Sequence, residues 1–174
     1  MVGYSATDIS ITALFAATYA VGVVALAPIS FMILQVRIAD ALLPLAIVFG
    51  APASLGLFIG TLVANMFGGL GLIDVLGGSV ANLIACIVGW KIGQTKVRSR
   101  WFLATIAQNL VLTSIVGTYL SYLLGFPVIL GWTGVFLGSV VAVNILGYAL
   151  LIAISSSSIV GWLTSHGVTV YTGE

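Results

Sequence analysis

The chain has 174 residues, of which 61% are apolar and only 5% charged, with a mean hydropathy of +1.28 and a formal net charge of +1. A soluble domain carries about 25% charged residues, so most of this surface faces lipid rather than water. The long apolar runs do not alternate with polar residues, which excludes a wet-lumen barrel and leaves a polytopic bundle of α-helices in a single integral membrane domain. No basic face is available to neutralise phosphates, so nucleic acid is not an expected partner.

The first span is expected over residues 9–27, with Asp8 as its N-cap at the positive end of the helix dipole. The segment before it lacks the basic region and cleavage site of a signal peptide, so this span is expected to stay in the mature protein. Ala13 and Ala17 share one face of it, and Ala16 and Ala20 an adjacent one. Such small-xxx-small faces admit a second helix closely, either from this chain or from a partner. Pro28 ends the span, because proline cannot continue the helix without losing a bond.

Two short spans follow, at 38–50 and 53–67. At 1.5 Å per residue each reaches only about 20 Å, against a hydrocarbon core about 30 Å thick. They are either shortened crossings or a re-entrant hairpin. Gly68, Gly69 and Gly71 then form a turn ending at Asp74, the expected cap of a fourth span at 74–93. Next comes KIGQTKVRSR, which holds Lys91, Lys96, Arg98 and Arg100, four of the five basic residues. The positive-inside rule puts this loop in the cytoplasm. A fifth span is expected at 101–124 and a sixth at 131–154. Counting back from the basic loop places both termini in the cytoplasm and gathers Gln35, Arg37, Asp40, Asn65, Asp74 and Trp132 at the outer side. GLFIGTLVANMFG (56–68) resembles GVFLGSVVAVNILG (134–147) with one residue inserted, which suggests an inverted repeat of three spans.

Catalysis is set aside. The sole histidine, His166, lies in the tail, Cys86 lies in an apolar run, and the glycine turn lacks the Lys and Ser/Thr of a phosphate-binding loop. No metal or cofactor is expected. The candidates for a small-molecule site are Asp74, as a cap or as an acceptor for paired N–H donors, and Arg37 with Asp40, as a self-neutralising boundary pair or as ligand contacts. The amides Asn65, Asn82 and Asn144 serve either as interhelical bonds or as ligand contacts. Trp132 belongs either to the interfacial belt or to a stacking platform.

LAPISF, QVRIADAL and LFIGTLVANMFGGLGLIDVLGGSVANLIA, after the alanine-rich first span, resemble the queuosine-precursor transporter (QueT) family, the substrate-binding S-components of energy-coupling factor transporters. The resemblance covers residues 8–95 well and the last two spans by layout. It implies a six-helix subunit of a prokaryotic cell membrane that captures a 7-deazapurine precursor of queuosine or archaeosine. Its implied partners are a transmembrane coupling protein, docked on Ala13, Ala16, Ala17 and Ala20, and two cytoplasmic ATPases. Asp74 or Asp40 would then take the N–H pair of the ring, Asn65 or Gln35 the remaining edge and Trp132 the flat face. Arg37 would meet a carbonyl or steady Asp40. An S-component for another vitamin-like molecule, a stand-alone carrier and a structural subunit are the rival readings.

Overall fold

The computed structural model describes residues 4–30 and 37–172, with the side chains of residues 29 and 30 left aside, and every regular element among them is helical. Five stretches are long and apolar enough to cross a membrane: 6–25, 38–68, 72–93, 100–124 and 128–154. The first is α1 (Ala6–Ala25), followed by the short α2 (Ala27–Ser30). Asp8 is not the cap of α1. Ser5 is, with its hydroxyl accepting from the Asp8 amide at 3.1 Å while the Asp8 carboxylate accepts from the Ser5 amide at 3.0 Å. The carboxylate thus closes a reciprocal capping box from the third helical position.

The second stretch folds back on itself. It begins as a 3₁₀ segment (Ile38–Leu45) and continues as α3 (Ala46–Gly68), which is broken at Gly50 (φ 62°, ψ −135°). The Tyr19 hydroxyl bonds Asp40 and the Phe15 ring packs on Phe49, so residues 40–49 run down α1. Thr12 bonds the Pro52 carbonyl, Phe15 then abuts Gly56 and Tyr19 abuts Gly60, so residues 52–60 run back up. A non-glycine residue does not readily hold a left-handed φ, and a Cβ at residue 50 would also meet the Tyr171 ring at 2.7 Å. The two expected short segments are therefore the arms of one hairpin with Gly50 at its tip.

Irregular backbone at membrane depth survives only where protein satisfies it. Here Gln108 Nε2 donates to the Leu43 carbonyl at 3.0 Å, Gln94 Nε2 to the Ile47 carbonyl at 2.9 Å and the Tyr171 amide to the Val48 carbonyl at 2.8 Å. Helices α4 (Leu72–Gly93) and α5 (Arg100–Leu124) follow, each antiparallel to the element before it. Thr61 and Asn65 face Asn82 and Gly78 across the first pair, and Gly89 and Gly78 face Gln108 and Tyr119 across the second. The last long stretch comprises α6 (Val128–Ser139), a π-helical segment (Val140–Gly147) and α7 (Tyr148–Ile154). The residue inserted in the 134–147 copy of the repeat falls inside that π segment, where an α-helix absorbs an extra residue.

A short α8 (Ser157–Ser165) and an extended tail close the bundle. Tyr4, Asp8, Thr169 and Tyr171 line one cleft, and Arg100 donates to the Thr172 carbonyl at 2.6 Å. The two described chain ends therefore lie at the end that carries the basic loop. On α1, Ala16 and Ala20 are half-buried, with the Ala16 backbone against Gly60 of α3, whereas Ala13 and Ala17 are exposed. Intrachain packing thus uses one alanine face and leaves the other uncovered among the described residues.

Candidate functional site

At the end of the bundle opposite the basic loop, the hairpin, α1, α3, α4 and α5 enclose a polar cluster. Arg37 is only 5% exposed, although a boundary arginine could have snorkelled outward. Its carbonyl caps the 3₁₀ segment by accepting from the Asp40 amide at 2.9 Å. Its guanidinium lies within electrostatic reach of both Asp40 and Asp74, and of the Tyr19 and Tyr119 hydroxyls. Asp40 Oδ1 accepts from the Tyr19 hydroxyl at 2.6 Å. Asn82 Nδ2 donates to that hydroxyl at 3.0 Å and to Thr61 Oγ1 at 2.7 Å, and Thr61 donates to the Leu57 carbonyl. One chain of bonds thus ties α1, α3 and α4 to the first hairpin arm.

Asp74 is not the α4 cap. The helix starts two residues earlier, at Leu72 with Gly71 before it, and no side chain caps it. The Asp74 carboxylate turns inward, is fully buried and accepts from the Tyr119 hydroxyl at 2.8 Å through Oδ1. Asn65 Nδ2 donates to the Asp74 carbonyl at 2.8 Å. That leaves two buried acceptors, Asp74 Oδ2 and Asn65 Oδ1, with no donor among the described residues. Such groups are rare and costly in folded proteins. Arg37, Asp40, Gly78, Asn82 and Ser139 line a cavity of about 20 Å³. Gly78 separates it from the Asn65–Tyr119 pair, since a Cβ there would meet the Tyr119 hydroxyl at 3.1 Å and Asn65 more closely still. The cavity has room for one water-sized group, so a ring-sized ligand needs the helices to part.

Two expected contacts lie elsewhere. Trp132 is 43% exposed on the α5–α6 surface, where its Nε1 donates to Thr118 Oγ1 at 2.9 Å. Asn144 sits in the π segment and accepts from Asn109 Nδ2 at 2.6 Å, and Thr113 donates to Asn109 Oδ1 at 3.1 Å. That neutral pair joins α5 to the last stretch. Gln35 lies outside the described residues. Tyr19, Thr61 and Tyr119 are members of the cluster that sequence reasoning passed over. The one available signal was Tyr19, an aromatic hydroxyl in the middle of a span, where a belt residue has no reason to be.

A family model described as QueT transporter matches residues 9–156. No curated protein and no solved structure matches the chain.

Proposed function

The chain belongs to the QueT transporter family, and on that premise we propose that it is the substrate-binding S-component of an energy-coupling factor importer. It is a multi-pass membrane protein that handles a small molecule. In the proposed reading the solute is a 7-deazapurine precursor of queuosine or archaeosine, taken from outside a prokaryotic plasma membrane. The chain crosses six times, counting both hairpin arms, with its termini and basic loop in the cytoplasm. A transmembrane coupling protein docks on the uncovered Ala13 and Ala17 face of α1, and two cytoplasmic ATPases supply the energy.

The observation that carries this reading is the pair of buried acceptors, Asp74 Oδ2 and Asn65 Oδ1, beside a buried guanidinium. A deazaguanine ring offers adjacent N–H donors and a carbonyl, which complement two acceptors and an Arg37 donor. The Tyr119 hydroxyl holds the Asp74 carboxylate, and the Asn65 amide is anchored on the Asp74 carbonyl, so the two acceptors are preorganised. The test is calorimetric titration of the purified chain with 7-deazaguanine precursors, using guanine, biotin and an amino acid as controls. Saturable binding of the deazapurine alone, weakened roughly 10- to 150-fold in Asp74→Asn, is the expected result. Folded protein that ignores every precursor would refute the substrate class.

A further inference from the structure

The end of the bundle opposite the proposed site has its own concave feature. A groove of about 450 Å³ opens between the α4–α5 loop, the start of α5 and α7. Its lip carries Lys96, Arg98 and Arg100, and its wall is Trp101, Phe102 and Tyr148. The Phe102 and Tyr148 rings meet edge to face at 5.9 Å, bracing α5 against α7. Beyond them Ile152 lines the far end, and both it and Phe102 are nearly half exposed on the apolar flank of the bundle. The groove therefore runs from a cationic rim into the hydrocarbon layer.

Its three cations differ in what they do. Arg100 donates to the Thr95 and Thr172 carbonyls, which fixes the loop and the tail around the groove. Lys96 and Arg98 are exposed at the rim, and none of the described carboxylates, Asp8, Asp40 or Asp74, lines it. The positive-inside rule accounts for basic residues in this loop. It does not require them to frame a groove with an aromatic wall between two helices.

We propose that this groove binds an anionic phospholipid, with its phosphate between Lys96 and Arg98 and an acyl chain along Phe102 and Ile152. Two basic side chains at a membrane surface give an anionic headgroup a preference of about 30-fold over a zwitterionic one.

Thermal unfolding of the delipidated full-length chain in detergent, titrated with phosphatidylglycerol or phosphatidylcholine, tests this. Phosphatidylglycerol should raise the melting temperature saturably, at about 30-fold lower concentration than phosphatidylcholine. The Lys96→Gln/Arg98→Gln variant should lose that preference. Lys91→Gln, whose charge lies outside the groove, should keep it. Equal response to both lipids, or a preference that survives the double substitution, would overturn the proposal. So would an equal shift produced by inorganic phosphate or glycerol phosphate, which would assign the rim to a soluble anion.

Discussion

Two polar clusters lie among the helices of this bundle, and they are built differently. One brings together Arg37, Asp40 and Asp74 with Tyr19, Asn65, Asn82 and Tyr119, drawn from α1, the hairpin, α4 and α5. The other is the neutral Asn109–Asn144 pair with Thr113, between α5 and the π segment. Neutral amides between membrane helices contribute modestly to association, about 0.6 kcal/mol on average. Three formal charges at or near the hydrocarbon layer cost several times more by any scale, and mark a function by default. The amide pair joins two elements and leaves one neutral donor, Asn144 Nδ2, without a partner among the described residues, whereas the charged cluster leaves a carboxylate oxygen and an amide oxygen unmet.

The sharpest way to break this contrast is Asp74→Asn. It replaces a charged acceptor with an amide of the same shape, and binding of a deazaguanine precursor should fall roughly 10- to 150-fold by calorimetry. Gly50→Ala comes next, because it forces a Cβ into a left-handed turn already filled by Tyr171 and Trp90. It should lower unfolding stability by about 3 kcal/mol in a detergent melt, and it should weaken binding by displacing the arm that carries Arg37 and Asp40. Tyr119→Phe strips the donor from Asp74 Oδ1 and should cost about 1–3 kcal/mol in the same melt. Asn144→Leu should cost only about 0.6 kcal/mol and leave affinity unchanged. If it weakened binding as much as Asp74→Asn, the distinction between the clusters would be wrong.

The spans were legible because hydropathy and punctuation by glycine and proline act locally. The expected ends of α4 and α5 fall within two residues of those observed, and 38–50 and 53–67 are indeed separate arms. What is not local was harder to read. Asp8 and Asp74 each look like caps after a short polar or glycine turn, yet each sits at the third helical position. Only tertiary placement tells them apart: Asp8 meets Ser5 at an exposed helix end, while Asp74 finds Tyr119 from another helix. The convergence of Arg37, Asp40, Asn65 and Asp74 at one end of the bundle could be read by counting crossings. Counting gives depth and not rotation about the helix axis, so it puts Trp132 with them, and at Asn144 residue type alone does not tell an interhelical bond from a ligand contact. The rotation of α6 turns the Trp132 ring to the flank, and the π segment directs Asn144 to Asn109.

The most direct test of the charged cluster as the ligand site is a parallel titration of the native chain, Asp74→Asn and Asn144→Leu with a 7-deazaguanine precursor. Saturable binding of equal affinity to the native chain and to Asn144→Leu, weakened roughly 10- to 150-fold in a folded Asp74→Asn protein, is the predicted result. Undiminished binding by folded Asp74→Asn would contradict it and move the site away from these acceptors.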